Sequence, residues 1–377
     1  MFSDLGARHG RVVRVDRGAV LVLPAAVDGD GTADAEVVRV ALPGDGLVPL
    51  AAADGSPGAD GSPGADGGPV AHVPAPAADR PADRVPPAVG DRVLLGTHPG
   101  GTPALAAVLP RRTAVVRDGP DRTSREQVLA ANVDVVLVVE HLDPDPSPGR
   151  VERLLTLAWR SGAQPVVVLT KADLVPDPDG MAEDVRAVAI GADVHAVSVT
   201  AGTGLDPVRA LLGPGRTLVV VGPSGAGKST LVNALAGAEV MGTGDRRADG
   251  RGRHTTVHRE LVPLPGGSSL IDTPGLRGVG LVADARSLDA TFADVAALAG
   301  RCRFGDCEHR TEPGCAVLAA VADGTLPARR LDSWRRLARE AAWQERRSDA
   351  RLAAADRART RQQTAAYHRL QRQVRPR

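Results

Sequence analysis

Gly222-Pro223-Ser224-Gly225-Ala226-Gly227-Lys228-Ser229, followed by Thr230, is the stretch on which the reading of this chain turns. It satisfies GxxxxGK[ST] at every fixed position. The apolar run Thr217 to Val221 precedes it, and a helix-like segment from Ser229 to Leu235 follows. A strand, a glycine-rich turn and a helix N-terminus in that order aim backbone N–H groups at an anion, which predicts a phosphate cradle. In that cradle Lys228 neutralises β- and γ-phosphate charge, Ser229 ligates magnesium, and Gly225 and Gly227 permit close approach. Lysine occurs only twice in a chain with 46 Lys plus Arg, at Lys171 and Lys228. Both positions lie in nucleotide motifs, where a compact point charge is not replaced by the planar fork of arginine.

Lys171 belongs to Thr170-Lys171-Ala172-Asp173, a variant of the guanine-reading NKxD word placed at the end of the apolar run Pro165 to Leu169. The Asp173 carboxylate accepts from N1–H and the exocyclic amine of guanine, which adenine does not offer, so GTP is expected over ATP. Ser198, at the end of the strand-like Val194 to Val199, resembles the usual base-contacting loop. Thr170 in place of Asn removes an amide that would bridge the base and the phosphate loop, so modest nucleotide affinity is expected. Asp272-Thr273-Pro274-Gly275 follows Ser269 to Ile271 and matches DxxG. There Asp272 holds magnesium through water, and the Gly275 N–H senses the γ-phosphate. Arg253, His254, Thr255 and Thr256 lie between the two phosphate motifs as a candidate switch, one threonine of which closes over magnesium. Leu276, where a water-orienting glutamine stands in Ras-like enzymes, predicts slow intrinsic hydrolysis. The order of the motifs is unusual: the guanine word precedes the phosphate loop.

Three cysteines, Cys302, Cys307 and Cys315, fall within fourteen residues, with His309 among them. Three thiolates and an imidazole complete a closed tetrahedral shell, the donor set of a structural zinc site. An odd cysteine count and the absence of a signal-like apolar segment argue against a disulfide framework and for a cytoplasmic setting. No apolar run reaches the roughly 18 residues that span a bilayer, so no membrane partner is expected.

The net charge of +1 hides an asymmetry, because residues 328–377 hold 15 arginines and five acids. Leu331, Trp334, Leu337, Ala338 and Ala341 recur there at helical spacing, predicting an amphipathic helix with its arginines outward and a basic arm for an anionic partner. Aromatic residues are only 2%, so cores rest on Val, Leu and Ala, and stacking platforms for bases are scarce.

Three parts and one insertion emerge. Residues 1–112 offer short β-like runs at Arg11 to Val15, Ala19 to Leu23, Val37 to Leu42, Arg92 to Leu95 and Ala104 to Leu109, the pattern of a small barrel or sandwich. The repeated ADGSPG and its Pro/Ala-rich sequel, residues 51–87, form a low-complexity insertion that cannot bury a core and is expected to be disordered. Residues 113–295 alternate apolar strands (Val133 to Val139, Pro165 to Leu169, Val194 to Val199, Thr217 to Val221) with helical segments. That predicts an α/β domain with a parallel sheet. Residues 296–377 carry the cysteine cluster and the basic, mainly helical tail.

Taken together, these residues resemble the circularly permuted, ribosome small-subunit-dependent GTPases of the RsgA (YjeQ) type. The resemblance covers Val89-Gly90-Asp91, Leu109-Pro110-Arg111, Ala130 to Asp134, the reversed motif order, Arg253 to Thr256, DTPG and the cysteine–histidine cluster. It implies an OB-type barrel, a permuted P-loop GTPase domain and a zinc-binding domain. It also implies Mg²⁺-dependent GTP hydrolysis, stimulated by the small ribosomal subunit during late maturation of that subunit. His254 is then the candidate for positioning water, rRNA the expected contact, and a monomer the expected state. The alternatives are a P-loop kinase or ATPase, separated by competition between ATP and GTP, and an RNA-binding assembly protein that holds GTP as a structural ligand.

Overall fold

In the computed structural model, residues 8–25, 36–50, 84–98, 101–118, 126–241, 259–272 and 283–348, with residues 354 and 357, are described. The expected switch residues His254, Thr255 and Thr256, the glycine Gly275, the insertion up to residue 83 and the end of the basic tail lie outside them. The chain divides into two compact units: Met1–Val116 with Val128–Val279, and Arg117–Gln127 with Gly280–Arg377.

The first unit begins with β1 (Arg8–Asp16), β2 (Ala19–Pro24), β3 (Val38–Ala41), β4 (Val48–Pro49), β5 (Arg84–Val85), β6 (Arg92–Thr97) and β7 (Pro103–Val108). β1 pairs antiparallel with both β2 and β6, β2 with β3, and β6 with β7. Alternation along these strands gathers Val12, Val20, Val22, Val40, Val93, Leu105 and Val108 into one apolar cluster, as period-two patterning requires. A two-stranded ribbon, β8 (Ala114–Asp118) with β9 (Glu126–Ala131), follows.

The remaining elements of this unit alternate: β10 (Val135–His141), α1 (Pro148–Ser161), β11 (Gln164–Thr170), α2 (Pro178–Arg186), β12 (Asp193–Ala196), α3 (Asp206–Arg209), β13 (Thr217–Val221) and α4 (Lys228–Ala236). The last two strands are β14 (Glu260–Pro263) and β15 (Ser269–Asp272). The order β12-β11-β10-β13-β15 is parallel throughout. β10 and β13 are buried along their whole length, which is why their stretches Val135 to Val139 and Leu218 to Val221 read as unbroken Val/Leu runs. β14 pairs antiparallel with β15 and meets β1 at the single register pair Arg14–Glu260, so the N-terminal strands and the parallel sheet form one continuous sheet. Leu137, Val139, Val166, Val168, Leu218, Leu231, Val232 and Leu235 fill the core beneath α4.

The seam between the two halves of this unit is built from polar groups. Asp91, fully buried, pairs through both oxygens with Arg111 at 2.7 and 2.8 Å, and it accepts the Ala88 amide. Gly90 has φ +90, and a Cβ there would stand 2.2 Å from the Ala131 carbonyl oxygen, so glycine is required by space as well as by backbone angle. The Asn132 amide donates to the Gly90 carbonyl at 3.0 Å.

The second unit contains α5 (Ala285–Thr291), α6 (Ala293–Ala299), α7 (Ala316–Ala322) and α8 (Ala328–Ser348). Asp284 and Ser287 close a reciprocal capping box at the start of α5. Leu331, Leu337 and Ala341 of α8 are buried as the helical spacing predicts. One arginine departs from the outward-facing expectation: Arg330 is 1% exposed. It binds both oxygens of Asp294 (2.9 and 3.1 Å), donates to the Thr291 carbonyl at 2.8 Å and lies 4.5 Å above the Phe292 ring. A bidentate carboxylate and an aromatic face satisfy a guanidinium that the helical pattern marks only as polar. Among the described residues no helix is long and apolar enough to cross a membrane.

Candidate nucleotide site and metal cluster

Three strand ends converge on the expected phosphate loop. β13 runs into Gly222, whose φ is +151 and where a Cβ would meet the Val139 carbonyl oxygen at 2.1 Å. Only glycine lets the loop leave its strand so close to β10. Gly225 and Gly227 adopt φ +78 and +75, and α4 starts at Lys228. Pro223, Ser224 and Ala226 complete the turn, with Ala226 fully buried. Ser229 and Thr230 occupy the first turn of α4. The Lys228 ammonium donates back to the carbonyls of Gly222 (3.0 Å) and Pro223 (2.5 Å), which holds its charge across the loop.

The guanine word stands two strands away, at the end of β11. The Thr170 hydroxyl is 2.8 Å from the Ala226 carbonyl oxygen in the phosphate loop and 3.1 Å from that of Glu140 at the end of β10. The Thr170 hydroxyl thus links the end of β11 to the phosphate loop. The hydroxyl is shorter than an amide, but β11 and the loop lie close enough for it to reach. Lys171 is left-handed (φ +61) and its ammonium donates to the Asp143 carbonyl at 3.1 Å. Ala172 opens a short 3-10 turn, Ala172–Leu174, and its amide donates to Val197 at 3.1 Å. That turn carries Asp173, which accepts the Ser198 hydroxyl at 2.5 Å, while Ser198 Oγ accepts the Ala201 amide at 2.9 Å. Ser198 thus fixes the orientation of the Asp173 carboxylate. Asp272 ends β15, one residue past the pair Val219–Ile271, on the parallel strand next to β13. DxxG therefore starts beside the phosphate loop.

One buried pair at this end of the sheet has no signal in any motif. Glu140 is fully buried and binds Arg150, near the start of α1, at 2.6 and 2.8 Å. The hydrogen bonds to Glu140 raise the Arg150 pKa above its ordinary value, against the opposing effect of burial. An acidic residue closing an otherwise apolar strand, ten positions before an arginine, is the sequence signal that could have found it.

In the second unit the ligand atoms of Cys302, Cys307, His309 and Cys315 all lie within 4.8 Å of one another. Cys302 Sγ and Cys315 Sγ are 3.8 Å apart, and His309 Nδ1 is 3.6 and 3.4 Å from them. A tetrahedral zinc with Zn–S near 2.3 Å and Zn–N near 2.0 Å separates its ligands by about 3.8 Å (S···S) and about 3.6 Å (S···N), so the spacing fits. Burial, and then the neighbouring thiols, push Cys307 up to about 11, so a thiolate there at neutral pH needs a cation beside it. Glu312 organises the loop between the ligands: its carboxylate accepts the amides of Glu308, Arg310 and Thr311 at 3.0, 2.7 and 2.9 Å. Its own backbone amide, and then those of Arg310, Thr311 and Glu308, lower its pKa to about 2. Arg335 of α8 donates to the His309 carbonyl, and Trp334 lies 5.4 Å from the His309 ring, which ties the cluster to the helix.

A parallel sheet with a glycine-rich loop at its centre, DxxG on one side and a TKAD word reached first in the chain on the other defines a circularly permuted P-loop GTPase. The RsgA GTPase family profile matches residues 108–282. The Small ribosomal subunit biogenesis GTPase RsgA of Streptomyces coelicolor is 54% identical over 256 residues, covering 67% of this chain and 69% of that protein. Its namesake in Opitutus terrae is 49% identical over 282 residues, covering 72% and 77%. The chain belongs to the RsgA GTPase family. Its fold is similar to that of YjeQ from Thermotoga maritima, with a TM-score of 0.58 at 22% identity over 89% of this chain and 99% of that one. It is also similar to YloQ, described as a circularly permuted GTPase, with a TM-score of 0.55 at 22% identity over 90% and 96%.

Proposed function

We propose that this chain is a GTP-hydrolysing biogenesis factor that binds the small ribosomal subunit, assists its late maturation and is stimulated by it. The observation that carries this reading is the contact of Thr170 with Ala226, which unites a guanine word and a phosphate loop in permuted order within a chain of this family. Gly222 to Thr230 hold the phosphates, Lys228 balances their charge, and Asp173, oriented by Ser198 and supported by Thr170, Lys171 and Ala172, reads guanine. Ser229 and Asp272 would hold Mg²⁺, which supplies charge neutralisation at the β- and γ-phosphates when bound. His254 positions the attacking water, Thr255 or Thr256 would close over Mg²⁺, and the Gly275 N–H senses the γ-phosphate. The spacing of Cys302, Cys307, His309 and Cys315 supports one structural zinc. Residues 1–112 act as an OB-type barrel, 113–295 as the GTPase domain and 296–377 as the zinc-binding domain with its basic helix. The factor works in the cytoplasm as a monomer that contacts rRNA.

Competition decides the nucleotide assignment. GTP should displace labelled GDP while ATP at the same concentration does not, and Asp173→Asn should weaken GTP at least about 100-fold, because one of the two acceptors facing guanine N1–H and its amine becomes a donor. Equal displacement by ATP would contradict the assignment. Sedimentation with purified small subunits tests the partner: the protein should co-sediment with a non-hydrolysable GTP analogue and dissociate with GDP.

A further inference from the structure

Two arginines face each other across the N-terminal strands. Arg11 of β1 and Arg92 of β6 are direct register partners in an antiparallel pair. That places their Cβ atoms about 5 Å apart on one face, an arrangement that costs stability unless something anionic offsets it. Arg92 is exposed and makes no ion pair among the described residues. A third guanidinium, Arg112, is 58% exposed and reaches Asp134 at 3.4 Å. Asp134 is the carboxylate that faces Arg112 and Arg11, and its other oxygen already accepts the Thr217 amide at 2.8 Å. Arg11 donates to the Thr217 hydroxyl, while its Nε is buried without a hydrogen-bond partner among the described residues. Burial, then Arg92, lower the Arg11 pKa, with Arg112 adding to the effect and Asp134 opposing it. Three positive charges against one shared carboxylate leave an unbalanced patch at the seam between the N-terminal strands and the parallel sheet.

We propose that Arg11, Arg92 and Arg112 form a contact surface for the phosphodiester backbone of RNA. The inference rests on the small-subunit reading above and names a part of the surface used. Planar guanidinium forks match phosphate oxygens, and each phosphate neutralised relieves the repulsion between Arg11 and Arg92. The chemistry is that of backbone contact rather than base reading, since no aromatic or amide side chain takes part.

The test uses the full chain with a non-hydrolysable GTP analogue and purified small ribosomal subunits, with affinity measured over a salt series. Arg92→Gln and Arg112→Gln should each weaken binding about 5-fold and lower the salt slope by roughly one, and the double variant should lose about 25-fold. Arg92→Lys, which keeps the charge, should retain most of the affinity. GTP turnover without subunits should match the wild type, and the melting temperature of the Arg92→Gln variant should be equal or higher, because the repulsion from Arg11 is removed. A double variant that melts normally and binds with unchanged affinity and salt slope overturns the inference alone. Failure of the wild-type chain to bind subunits overturns it together with the reading on which it rests.

Discussion

The Thr170 hydroxyl lies 2.8 Å from the carbonyl oxygen of Ala226, 56 residues later in the chain. One proton on a short side chain joins the end of β11 to the phosphate loop that follows β13, so the TKAD turn and that loop are positioned together. Thr170→Val keeps the shape, removes that proton and leaves a buried carbonyl without its donor, a loss of about 1–2 kcal/mol. Labelled GDP should bind about 5- to 30-fold more weakly, and Thr170→Ser should restore most of the difference. Equal affinities for all three would remove Thr170 from the site.

Two glycines of the same loop separate strain from collision. At Gly222 a Cβ meets the Val139 carbonyl oxygen at 2.1 Å, whereas at Gly225 it meets nothing within 4 Å. Gly222→Ala should therefore cost at least about 2 kcal/mol of stability, and Gly225→Ala only the roughly 1 kcal/mol of an unfavourable backbone angle. Urea denaturation of the two variants measures the gap.

Buried Arg330 anchors α8 to the part-exposed Asp294 of α6 in the second unit. Arg330→Ala removes the partner of Asp294, itself 29% exposed, and empties the space above Phe292, so about 2 kcal/mol should be lost. Arg330→Met, which fills the volume without the pair, should fall between the alanine variant and the wild type by thermal denaturation.

The metal cluster should respond to acid through Glu312. Its pKa in the folded chain is held near 2 against an ordinary value of 4.5, chiefly by backbone amides. A depressed carboxylate contributes stability above its unfolded value and loses it as pH falls through the window from about 4.5 to 2. At neutral pH, Glu312→Gln should release zinc to a chelator several-fold faster than wild type. In thermal melts the difference between the two proteins should be full at pH 6 and shrink as pH falls below about 4.

Much of this was legible because function and local chemistry coincide. The glycine-rich loop, the run Thr217 to Val221 that became β13, and Cys302, Cys307, His309 and Cys315 announce themselves through spacing and residue type. β14 was missed: Glu260–Pro263 is four residues long and carries a proline, and it is a strand because β15 supplies its ladder. The reach of the Thr170 hydroxyl to the Ala226 carbonyl was not legible, because the distance it must span depends on how close β11 stands to the loop. Arg330 was hidden for the same reason, since its partner Asp294 lies 36 positions earlier, on α6.

The central claim is tested most directly by GTP turnover measured with and without purified small ribosomal subunits at saturating GTP. The account predicts slow hydrolysis by the chain alone, because Leu276 cannot orient water, and at least a tenfold rise in kcat when subunits are added. That rise should vanish in Lys228→Ala. An unchanged kcat in the presence of subunits would contradict the account.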